Sequence, residues 1–194
     1  MRSQLRNRRS FRLGLLIPAI LSLIAMGILA CSTTQSIGSQ LDDASISTQV
    51  QALLIQDPAI NPLHVRTATD EGEVLLIGRV DSRAESRAAE QSARSIAGVW
   101  SVQNYLKIGE AVEERTYADI QLRQAIAARL FRDGQVLGLN IRVLVHEAEV
   151  YLLGRVASNN ERQQARNVVL ETEGVQLIQN HLKAGPIPSA AELE

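Results

Sequence analysis

Apolar residues fall along this chain in three patterns. From Leu13 to Ala30 they make an uncharged run of 18 residues, preceded by Arg2, Arg6, Arg8, Arg9 and Arg12 and followed by no acid before Asp42. Farther on they recur at 46, 50 and 54 and again at 122, 126 and 130, the four-residue spacing of an amphipathic helix. In "VLLIGRV" (74–80) and "VYLLGRV" (150–156) they are nearly continuous over a short span bounded by turn residues, which predicts buried strands.

The last two patterns are parts of one repeat. Every position from Asp43 to Ile108 has a counterpart 76 residues on without a gap, and roughly a third are identical, including Leu54 with Leu130, Arg66 with Arg142 and Glu73 with Glu149. A period that long marks a duplicated small domain and not a solenoid unit. Each copy predicts an opening helix, a short strand ("LHVRTAT", "LNIRVLV"), a turn ("DEGE", "HEAE") and the glycine-containing strand. A second helix and a last strand ("VWSVQNYLKI", "VQLIQNHLKA") then complete the order αββαβ. Ser82 with Glu85, and Ser158 with Glu161, have capping-box spacing at the start of the second helix. Gly98 and Gly174 are placed to end it in the left-handed conformation. Gly78 and Gly154, inside strands, predict close backbone approach. The expectation is that they admit the following helix over the sheet. The fold class is therefore α+β, two tandem αββαβ domains.

Charge places the leader. A basic head before an apolar run is the layout of a secretory signal, and the run ends "ILAC" at Cys31, the single cysteine of the chain. These residues resemble the lipobox of bacterial lipoproteins, which implies cleavage before Cys31 and its acylation by chains such as palmitate. Each buried methylene then adds about 0.8 kcal/mol of membrane affinity. Ser32 stands where aspartate retains lipoproteins in the inner membrane, so the resemblance implies a lipid anchor in the outer membrane, facing the periplasm. The expected organisation is a signal peptide over 1–30, a lipidated tether over 31–42, domains over 43–108 and 119–184, a linker over 109–118 and a flexible tail over 185–194. Without residues 1–30 the chain keeps 15 basic and 21 acidic side chains, a net charge near −6. That balance argues against a nucleic-acid partner.

The repeated order, the strand glycine of "VLLIGRV", Ala89 and Ala165 in the helix that follows, and the "GV…VxNxL" ending resemble the BON domain. This family is named for bacterial osmotic-shock and nodulation proteins and is linked to phospholipid membranes. Two such domains behind a lipobox imply a non-enzymatic lipoprotein that maintains envelope integrity under osmotic stress and binds anionic phospholipid through its second domain.

The copies differ most in their opening helices. Residues 42–57 carry three aspartates and no base, whereas residues 115–133 carry Arg115, Arg123, Arg129 and Arg132 against Asp119 and Asp133. Arginines beside Phe131 suit a helix lying on an anionic bilayer. The bland alternative makes the arginines solvated and puts Phe131 in the core where Ile55 would be. Arg123, Arg129, Phe131 and Arg132 are the candidate phospholipid-binding residues. No catalytic constellation and no cofactor motif is visible. "HEAE" reads as a solvated hairpin in preference to a metal site. Two other readings stay open: an adaptor for envelope proteins, and a structural spacer.

Overall fold

The computed structural model describes residues 37–58, 60–109 and 113–185. The leader, Cys31 and the tail beyond Gly185 lie outside them. Helix α1 (Ile37–Gln56) leads to β1 (Val65–Asp70), β2 (Glu73–Val80), α2 (Arg83–Arg94) and β3 (Ser101–Ile108). The second copy repeats the order as α3 (Glu113–Arg132), β4 (Ile141–His146), β5 (Glu149–Val156), α4 (Asn159–Leu170) and β6 (Leu177–Ala184). In each sheet the middle strand pairs antiparallel with the first and parallel with the third. Each opening helix starts a few residues before the domain bound expected at 43 or 119, α1 at Ile37 and α3 at Glu113. After Gly109 no proline or further glycine stands in the way of a helix.

Both helices of a copy cover one face of its sheet. Ile46, Val50 and Leu54 of α1 and Ala89 and Ala93 of α2 enclose Val74, Leu76 and Val80 of β2. Ile126 and Leu130 of α3 and Ala165 and Val169 of α4 enclose Val150, Leu152 and Val156 in the same way. The alternate residues of the middle strands point the other way and are buried too. There Ala68, Leu75 and Ile77 meet Tyr151 and Leu153, with Tyr105 and Leu144 packed alongside. The two sheets thus stack face to face, giving four layers with α1 and α3 on opposite outer sides, and the described residues make one compact unit. A strand covered on both faces needs apolar residues at successive positions. That explains why "VLLIGRV" and "VYLLGRV" do not alternate. Among the described residues no helix is long and apolar enough to cross a membrane.

Three local expectations change. Gly78 and Gly154 have positive φ (140° and 123°), but a Cβ there would overlap the carbonyl oxygen of His64 or Asn140 across the strand pair. The close approach is therefore to the turn before β1 or β4, and the following helix is not what demands it. Gly98 and Gly174 are left-handed (φ 89° and 93°), yet α2 and α4 have already ended at Arg94 and Leu170 with right-handed caps at Ser95 and Glu171. Each glycine is instead the third residue of a turn closed by Val99 N–H to Ile96 O or Val175 N–H to Thr172 O, where a positive φ is required. Finally, Ser82 and Ser158 cap their helices as expected, while the glutamates reach farther. Glu85 accepts from Asp81 N–H (2.8 Å) and Asn61 N–H (2.7 Å), and Glu161 from Ala157 and Leu137, which ties each second helix to the loop before the first strand.

Candidate functional site: the outer face of α3 and the turn behind it

At about 100° per residue, Tyr117 and Ile120 lie within about 40° of Phe131 around α3. All three are exposed, Tyr117 and Phe131 by more than two thirds (69% and 68%). The core position at this end of the helix belongs to Leu130, and Ile55 is exposed in the first copy as well, so neither Phe131 nor Ile55 fills the core. The next turn adds to the patch. Gly138 packs its backbone against Leu130 and Phe131, too close to admit a Cβ, and the flanking Leu137 and Leu139 are both exposed. Exposed apolar residues therefore stand near both ends of this face of α3, with the exposed, polar Gln124 between them, and continue around its C-terminal end.

The three arginines do not share a face. Arg123 and Arg132 stand about 80° and 100° to either side of Phe131, and both are exposed. Arg129 is about 160° away from Phe131 and turns toward the second helix, where it meets Glu171 at 3.4 Å. Sequence reasoning missed Tyr117, Ile120, Leu137 and Leu139. The first two are legible from the helical period of the outer face, whereas Leu137 and Leu139 lie beyond the helix and carry no periodic signal.

The matching face of the first domain is different in kind. Between α1 and β1 lies an open groove of about 410 Å³ lined by Ser47, Thr48, Gln51, Ala52, Ile55 and Thr67, with no charged side chain.

Behind α3, the "HEAE" turn is not a solvated hairpin. Glu147 and Ala148 both take positive φ (50° and 63°), as Glu71 and Gly72 do in the first copy (49° and 74°). This is the two-residue turn that suits strand twist. Asp119 of α3 holds it from one side, accepting from Glu147 N–H (2.7 Å) and Ala148 N–H (2.9 Å), and Asp43 of α1 does the same for Glu71 and Gly72. From the other side the glutamates are taken by the opposite domain. Arg79 grips Glu147 through Nε and Nη2, and Lys107 Nζ stands 3.3 Å from it. Arg155 and Lys183 treat Glu71 likewise, at 2.6 and 3.4 Å. The hydrogen bond from Arg79 lowers the pKa of Glu147 to about 2, against the opposing effect of burial. In Glu71 burial pushes upward, and Arg155 and Lys183 together outweigh it, leaving the pKa lowered. Arg66 and Arg142 complete the joint by donating to the carbonyls of Val145 and Thr69, outward-facing groups on the edge strands of the opposite domain. Among the described residues no group of His, Cys, Asp and Glu is placed to hold a metal.

The model of the BON domain matches the chain twice, over residues 42–110 and 118–186. Osmotically-inducible protein Y of Escherichia coli is 30% identical over 155 residues, covering 78% of this chain and 77% of its own. The outer membrane lipoprotein DolP of Haemophilus influenzae is 24% identical over 164 residues, 84% of each chain. A 21 kDa hemolysin of Actinobacillus pleuropneumoniae is 26% identical over 139 residues, 69% of this chain and 72% of its own. With both copies matched and αββαβ order present in each, the chain belongs to the BON domain family as a tandem two-domain member.

Proposed function

We propose that this protein is a non-enzymatic lipoprotein of the outer membrane, anchored through Cys31 and facing the periplasm, that lays the outer face of α3 on anionic phospholipid and so helps to maintain envelope integrity. The observation that carries the reading is the set of exposed apolar residues Tyr117, Ile120 and Phe131 on one face of α3, with uncharged Gln124 between them, continued by Leu137 and Leu139 and flanked by Arg123 and Arg132. Apolar side chains at the acyl boundary with guanidinium groups on both flanks is the arrangement of an interfacial helix. Arg129, drawn toward Glu171, contributes least. The "ILAC" motif and the likeness to an outer membrane lipoprotein support the anchor and the location. A tether that raises local concentration makes a weak surface contact sufficient.

The test uses the compact unit of residues 34–194 with vesicles of phosphatidylcholine alone or mixed with phosphatidylglycerol. Binding should need the anionic lipid and fade at high salt. At about 1 kcal/mol per basic residue, the double variant Arg123→Ser/Arg132→Gln should weaken it about tenfold or more. Equal binding to both vesicle types, or none, overturns the reading.

A second reading rests on the groove of the first domain. Because α1 and α3 occupy opposite outer layers, a protein lying on its α3 face turns the groove away from the bilayer, toward envelope proteins. A reporter at Ile55→Cys should then stay in water while one at Phe131→Cys enters lipid. The unit has no other cysteine to confuse the labelling.

A further inference from the structure

We infer that the first domain sets the position of α3 through Glu147, so that docking of the two domains controls the face proposed above to meet lipid. The inference rests on that reading for its consequence but not for its mechanism. Glu147 is gripped at both ends. Its carboxylate is held by Arg79 of β2 and Lys107 of β3, and its N–H is held by Asp119, two residues from Tyr117 in α3. Asp119 is buried and spends both carboxylate oxygens on this turn. A side chain of the first domain, a left-handed turn and a helix of the second domain are thereby joined in one short chain of contacts.

The turn also depends on that grip more than its counterpart does. In the first copy the second turn residue is Gly72, which adopts positive φ without steric cost, whereas here it is Ala148. A turn that its own sequence disfavours relaxes when its holding contacts are cut, and Asp119 then loses the partners that orient the start of α3. Arg155 and Glu71 form the mirror-image lever on α1, and they supply an internal control.

The experiment compares residues 34–194 with Arg79→Met and Arg155→Met, following amide exchange residue by residue and binding to phosphatidylglycerol vesicles. In Arg79→Met the amides of Glu147 and Ala148 and the first turns of α3 should exchange about tenfold faster or more, while Val150 and Leu152 in β5 keep their protection. Vesicle binding should fall several-fold. Arg155→Met should instead speed Glu71 and Gly72 and leave α3 as it was. The inference is overturned if Glu147 and Ala148 keep wild-type rates in Arg79→Met, if both variants loosen α3 alike, or if the wild type binds vesicles and Arg79→Met binds equally well. If the wild-type unit itself fails to bind, the lipid reading falls and the exchange pattern alone still decides whether the lever exists.

Discussion

Arg79 of β2 and Glu147 of the β4–β5 turn form a two-nitrogen ion pair between the domains, and Arg155 and Glu71 form it again in the opposite direction. The arginine of "GRV" and the glutamate of the turn are thus repeated because each copy offers both halves of one self-complementary joint. Leu75, Ile77, Tyr151 and Leu153, buried where the two sheets meet, belong to the same joint. Removing Arg79 leaves the buried Glu147 carboxylate with Lys107 alone, at 3.3 Å. We predict that Arg79→Ala lowers stability by about 3 kcal/mol. Arg94→Ala, which breaks an exposed pair with Glu90 one helical turn away, should cost no more than about 0.5 kcal/mol. Urea unfolding of both variants decides it, and similar small losses would show that the joint is held by its apolar residues alone.

Acid should weaken the joint. Glu147 titrates near 2 in the folded protein against an ordinary value of 4.5, so the unfolded chain takes up the proton first as pH falls. Its contribution is fully present above about pH 4.5 and is lost progressively toward pH 2, on the order of 3 kcal/mol across that window. Glu147→Gln should be less stable than the wild type at pH 7 and converge with it near pH 2. Trp100, the one tryptophan, reports on docking because Lys183 of the second domain lies 5.9 Å from its ring centre. A stability difference that does not shrink on acidification would remove Glu147 as the acid-sensitive group.

The strand glycines should be irreplaceable for a local reason. A methyl group at residue 78 runs into the His64 carbonyl, and the φ of 140° is itself hostile to a side chain. Gly78→Ala should therefore cost about 3 kcal/mol or more. Gly134→Ala, with nothing within 4 Å of the added methyl, should stay within about 0.5 kcal/mol. Gly72→Ala should resemble the first, because its methyl would press on Gly98 O and the Trp100 ring. Thermal melts of the three variants rank them, and a tolerated Gly78→Ala would mean that the His64 turn can move aside.

Much of this architecture is legible in the residues, and the rest is hidden for identifiable reasons. Period, strand order and the N-terminal helix caps follow from sequence patterns such as Ser82 with Glu85, whereas Gly98 and Gly174 do not end their helices. Uninterrupted apolar strands announce burial on two faces, yet nothing local says what covers the second. The domain joint escapes because its carboxylates sit in "DEGE" and "HEAE", polar tetrads that look like ordinary solvent-facing turns. Glu147 is held in its buried position by Arg79, 68 residues earlier, and by Lys107, 40 residues earlier. On α3 the charge difference at Arg129 is spent on Glu171, 42 residues on, while Tyr117 and Ile120 share a face with Phe131 only through the helical period.

His146 supplies a second acid response, distinct from that of Glu147. It stands where the first copy has Asp70, whose carboxylate meets Lys183 at 3.2 Å. Among the described residues its Nε2 is buried without a hydrogen-bond partner. Burial lowers its pKa, Arg66 and Lys107 add to that effect, and Glu147 and Asp119 oppose it without prevailing. A histidine with a lowered folded pKa favours the folded state above its ordinary value of 6.5, and that advantage drains away as pH falls below it. Between pH 7 and pH 5, where Glu147 stays ionised, wild-type stability should therefore decline, whereas His146→Gln should follow a flatter profile over the same range. Chemical denaturation at half-unit steps of pH separates the two residues. Parallel profiles for wild type and His146→Gln would mean that the imidazole finds solvent or a partner on protonation, and the acid response would then belong to the carboxylates alone.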